Sequence, residues 1–121
     1  MPDAPRVMVV DGPTLCREGL TSLMSQAGFD IVLSTSDGDE AISSARVSAP
    51  DVAVVNVGAG SEGGFALASR IIGASPKTRV VLVSTEEHRS DVLATIRSDA
   101  SAYILKSSPF ASLKKAIDLV L

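Results

Sequence analysis

The segment PDVAVVNVGAG, residues 50–60, decides how this chain is read. An apolar run at 52–55 is too short for a helix, follows a proline, and shows no polar alternation, so both of its faces must be covered. It stops at Asn56, a neutral amide, and the chain then turns into glycine. Working outward, runs of the same kind stand at 7–10, 31–34, 80–83 and 103–105.

The segments between these runs carry helical spacing. The first has Cys16, Leu20, Leu23, Met24 and Ala27 on one face, with Cys16 expected in the core, and it closes on Gly28 in a position suited to a left-handed cap. The second opens on Asp37-Gly38-Asp39-Glu40, the spacing of a capping box, before Ala41, Ile42 and Ala45. The third carries Leu67, Ile71 and Ile72, and the fourth Val92, Leu93 and Ile96. The last starts at Ser108-Pro109, read as a cap hydroxyl followed by a first-turn proline, and buries Phe110, Leu113, Ile117 and Val120. Lys114 and Lys115 are read as cations near its end, favoured by the helix dipole.

Five strand–helix alternations with apolar strands predict a doubly wound five-stranded parallel sheet with right-handed crossovers, strand order 2-1-3-4-5. Ligands of such folds gather past the carboxyl ends of the strands. The informative residues are then Asp11 and Gly12 after the first strand, Asn56 after the third, Ser84 and Thr85 after the fourth, and Lys106 after the fifth.

Composition bounds the rest. With 121 residues, 45% hydrophobic and 21% charged, the chain has the size and apolar content of one domain, 1–121. A net charge of -3 with scattered basic residues gives no footprint for a nucleic-acid backbone. The single cysteine excludes an internal disulfide and fits a reducing cytoplasm. No stretch predicts a membrane span, and the localisation expected is cytoplasmic. His88 has no second histidine or cysteine beside it for a metal site and reads as a loop residue. Glu86, Glu87 and Arg89 read as a solvated loop.

The pieces VMVVDGPTLCREGL, PDVAVVNVGAG, VVLVST and ASAYILKSSP together resemble the receiver domains of bacterial response regulators over the whole chain, most closely the NarL-type branch. In that family an aspartate ending the third strand accepts a phosphoryl group, and an acidic pair after the first strand holds Mg²⁺. The resemblance puts Asn56 at the acceptor position and leaves Asp11 with Gly12 in place of the second acid. It puts the family's switch hydroxyl on Ser84, its switch aromatic on Tyr103 and its lysine on Lys106. It implies a two-component transcription regulator whose helix-turn-helix DNA-binding output domain lies outside this chain, and a homodimer.

The departures have their own chemistry. Mg²⁺ takes hard oxygen ligands in near-octahedral geometry, usually including one or two carboxylates. Gly12 has no side chain and Asn56 offers only a neutral oxygen. An amide is no substitute for a carboxylate nucleophile. The reading is therefore an atypical receiver that binds no metal and takes no phosphoryl group, in which Asn56 hydrogen-bonds rather than reacts and Asp11 and Lys106 can pair directly. Neither enzymatic activity nor a resident cofactor is expected, and Tyr103 reads as a core residue rather than a rotating switch.

One rival remains. Gly58, Gly60 and Gly63 spell G-x-G-x-x-G between a strand and a helix, the context of a dinucleotide loop. Against it, that fingerprint belongs to the first strand–helix turn, whereas this one follows the third strand. The alternative function is a small-ligand or nucleotide-binding domain using the loop 58–64, and a small-molecule effector is compatible with either reading.

Overall fold

The computed structural model describes residues 4–12, 14–57, 63–84, 99–105 and 107–121. Its strands are β1 (Arg6–Val10), β2 (Asp30–Thr35), β3 (Val52–Asn56), β4 (Arg79–Ser84) and β5 (Ala102–Leu105). Its described helices, labelled in chain order, are α1 (Thr14–Gln26), α2 (Gly38–Ser48), α3 (Gly64–Ala74) and α4 (Phe110–Val120). All strand pairs are parallel and the order is β2-β1-β3-β4-β5, the common doubly wound order expected from the sequence. The helical segment expected around Val92, Leu93 and Ile96 lies outside the described residues, as do His88 and its charged neighbours.

Successive side chains of each central strand serve two cores. Met8, Val10, Ala53, Val55, Val80 and Leu82 pack with Ala41, Ile42, Leu67 and Ile71 under α2 and α3. Val7, Val9, Val52, Val54, Val81 and Val83 pack on the opposite face with Met24 of α1 and with Leu113 and Ile117 of α4. A strand apolar at every position is thereby satisfied, because alternate residues point to opposite helical layers. The second-face residues of β1 and β3 are essentially inaccessible, so each valine there contributes on the order of 1.5–3 kcal/mol of burial.

Local chemistry sets the helix ends. Gly28 has φ of 97°, the left-handed conformation expected after α1. The Asp37 side chain accepts from the backbone N–H of Asp39 and of Glu40 at the start of α2. The reciprocal half of a capping box is absent from this arrangement: the Asp37 N–H donates to Thr35 Oγ1 at 2.9 Å. At the far end of α2, Ala49 takes φ of 44° and donates its N–H to Ala45 O, and Pro50 follows.

Three expectations are corrected. Cys16 is exposed, as is Leu23, because α1 presses Met24 rather than its whole apolar stripe onto the sheet. Pro109, not Ser108, is the cap residue of α4, and no side chain caps that helix. Lys114 lies near the middle of α4, where its ammonium pairs with Asp118 Oδ2 at 3.3 Å across one helical turn, a surface pair of small energetic weight.

Ala49 gives a direct test of the backbone argument. A Cβ in the left-handed region costs roughly 1–2 kcal/mol, and glycine's larger unfolded freedom returns about 0.4–1. Ala49→Gly is expected to stabilise the fold by up to about 1 kcal/mol, read as a rise of a few degrees in the thermal melt. A lower melting temperature contradicts the assignment of strain to this cap.

Candidate functional site

The parallel register brings the polar residues to one edge. Val10 is paired with Val55, so the next residues, Asp11 and Asn56, stand side by side where β1 and β3 end. Asn56 is in turn level with Val83, and Ser84 follows as the last residue of β4. Asp11 and Ser84 are buried, at 2% and 7% exposure, and Asn56 is half-buried.

The Asn56 Nδ2 donates to Asp11 Oδ1 at 3.1 Å. A carboxylate removed from water needs such donors, and an amide supplies one where a second carboxylate would supply repulsion. The Asp11 backbone is held as well: its N–H donates to Thr35 O at 3.1 Å, and Arg17 Nη1 donates to Asp11 O at 3.2 Å. Arg17 belongs to the quoted stretch VMVVDGPTLCREGL, but apolar periodicity alone had no signal for its contact back to β1.

Gly12 is exposed, and a Cβ built on it meets no atom within 4 Å. The missing acid there is a chemical absence, not a steric one. Tyr103 is half-buried, in register with Leu82, and packs on the core under α2 and α3. Lys106, Gly58 and Gly60 lie outside the described residues, and so does the Asp11–Lys106 pair expected from the charges. Among the described residues no three histidine, cysteine or acidic side chains group as metal ligands.

Gly63 and Gly64 have backbone reasons to be glycine. Gly63 takes φ of 85° at the start of α3. A Cβ on Gly64 would stand 2.3 Å from Asn56 O and 2.6 Å from Val57 Cα, and its N–H donates to Val57 O at 2.5 Å. The helix is thus seated on the end of β3 by main chain alone. Gly63 therefore needs no nucleotide to account for it.

A doubly wound parallel α/β domain with its polar residues collected past β1, β3 and β4 is the class defined so far. The model of the response regulator receiver domain matches residues 7–118, and the chain belongs to that family. It is similar to the response regulator GacA of Pseudomonas viridiflava, 29% identical over 116 residues that cover 95% of this chain and 54% of the relative. The probable transcriptional regulatory protein NarL of Mycobacterium tuberculosis is 28% identical over 117 residues, covering 96% of this chain and 54% of the relative. The solved signal receiver domain of the NarL response regulator from Mycobacterium tuberculosis superposes with a TM-score of 0.84 at 27% identity, covering 95% of this chain and 98% of that one. The chain spans about half the length of these curated relatives.

Two variants test the site. Gly64→Ala forces a methyl group into main chain that cannot yield as a side chain would, and about 1–3 kcal/mol of stability should be lost to overpacking. A melt unchanged by this substitution contradicts the close seating of α3 on β3. Asn56→Asp removes a hydrogen bond to a charged group, about 1.5–3 kcal/mol, and sets two carboxyls together. The variant should therefore be less stable than the parent at pH 7 by about that amount. Urea titrations of the two proteins at pH 7 check this, and a variant as stable as its parent reverses the assignment.

Proposed function

We propose that this chain is the receiver module of a response regulator that works without aspartyl phosphorylation and regulates an attached output segment by interaction. The observation that carries the reading is the 3.1 Å bond from Asn56 Nδ2 to Asp11 Oδ1, at the position where the family resemblance expects a phosphoryl acceptor. An amide nitrogen spends its lone pair on resonance and its oxygen carries no full charge, so Asn56 lacks the nucleophile for an acyl phosphate. Gly12 removes the second acid that would help to hold Mg²⁺. What remains at the strand ends is a polar cluster in which the amide donates to the acid.

A module of this kind acts through its surfaces. The NarL relative named above is a transcriptional regulatory protein about twice as long, which supports a DNA-binding output domain beyond this chain in the intact protein. Self-association is part of the proposal. Leu15 of α1 is 83% exposed and Leu119 of α4 is 78% exposed, on two helices that cover the same face of the sheet. Exposed apolar side chains on this helical layer are surface that a second copy of the chain could cover. The net charge of -3 leaves DNA contact to the other domain.

The test restores the missing chemistry. The chain and its Gly12→Asp/Asn56→Asp variant are treated with acetyl phosphate and Mg²⁺, and phosphorylation is read by intact mass. The parent should gain no phosphoryl group with or without Mg²⁺, and the double variant should gain one that depends on the metal, since the added Asp side chain has room at position 12. Phosphorylation of the parent overturns the proposal. A double variant that folds yet ignores Mg²⁺ overturns the residue mapping on which it stands.

A further inference from the structure

On the α1 and α4 face of the sheet, Met24, Leu113 and Ile117 close the core, but towards the carboxyl ends of the strands the two helices leave a cavity of about 350 Å³ between them. Its walls are apolar, with Leu20 and Leu23 from α1, Val83 from β4, Ile104 from β5, and Phe110 and Leu113 from α4. The floor belongs to the core itself, since Val83 and Leu113 are both buried. Asp11 borders the space but is committed to the strand-end cluster, where it accepts from Asn56 and is otherwise engaged, so it is no ligand group. The other polar members of the lining are the Cys16 sulfur and the Ser108 hydroxyl.

We infer that this cavity binds a small neutral aromatic molecule of about two fused rings, held between α1 and α4 by apolar contact. An apolar cavity of about 150 Å³ accepts a benzene, so a space of about 350 Å³ has room for a second ring. The driving force is removal of the guest's surface and of the leucine walls from water, and Phe110 adds an aromatic ring for the guest to pack against. A charged guest would leave water with no free counter-charge to meet it, a loss that apolar contact does not return. The alternative occupant is a second copy of the chain. The leucines that stand furthest out of these helices, Leu15 and Leu119, are not part of the lining, so covering them does not fill the space. One turn of an inserted helix, about 10 Å across and about 5.4 Å long, already exceeds the volume.

The chain carries its own reporter, since Cys16 is its single cysteine and both lines the cavity and reaches solvent. The experiment compares two neutral probes, indole and 2-naphthol, with charged molecules of the same ring size, indole-3-carboxylate, 2-naphthoate and 2-naphthylmethylamine, at millimolar concentration. Melting temperature and the rate of Cys16 alkylation by a maleimide are read for each. At least one neutral probe is expected to raise the melt by a few degrees and slow alkylation several-fold, while its charged counterparts do neither. Leu23→Trp, at a position 46% exposed and so tolerant of a larger side chain, should place an indole in the cavity. The chain has no tryptophan of its own, so blue-shifted emission from the variant reports the filled space, and the neutral probes should then lose both effects. The inference is overturned if neither neutral probe changes either readout, if the charged molecules act as strongly, if the new tryptophan emits as it does in water, or if the probes still act on the variant. Alkylation that slows with rising protein concentration in the absence of any probe means that a second copy covers the cavity, and overturns it as well. Because no arm contains Mg²⁺ or a phosphoryl donor, its failure is distinct from failure of the proposed function.

Discussion

A parallel sheet covered on both faces is the constraint from which the rest of this molecule follows. No side chain of β1 between Val7 and Val10, or of β3 between Val52 and Val55, reaches solvent to any useful extent. Polar groups can then appear only where the strands end. The register does the rest, since Val10 opposite Val55 and Val83 opposite Asn56 bring Asp11, Asn56 and Ser84 to one edge.

At that edge the pairing of an amide with a carboxylate has consequences for both electrostatics and packing. Asn56 gives the buried acid a hydrogen-bond donor without adding negative charge, whereas a second carboxylate there would repel it. The main chain around the amide is equally constrained, because Gly64 approaches Asn56 O and Val57 Cα more closely than any side chain allows. Hydrogen bonding and helix seating thus converge on one residue. A change at position 56 acts on the charge balance directly and on α3 through the backbone.

The second face behaves differently. There α1 contributes Met24 to the core and leaves Leu15 and Leu23 outside, so the helix covers the sheet without closing onto α4 along its whole length. The cavity beside Asp11 and the exposed leucines have this common origin.

Much of this was legible in the residue order. Short apolar runs with no polar alternation require a sheet buried on both sides, so the parallel fold and the importance of the strand ends follow from periodicity and length, and the common order of that fold supplied the expected strand order. Gly28 and Asp37 announced their helix ends through local chemistry, which operates within a few residues. The partner of Asn56 was not legible in the same way, because Asp11 is 45 positions away and becomes a neighbour only through the pairing of β1 with β3. Nor was the exposure of Cys16: helical spacing says which residues share a face, while the position of the neighbouring helix decides how much of that face is covered. The sequence by itself therefore determined the parallel sheet and the identity of the polar residues at the ends of its strands. Only the tertiary structure decided which of those residues touch, and where α1 and α4 leave space between them, because both depend on how separate elements pack and not on the preferences within any one of them.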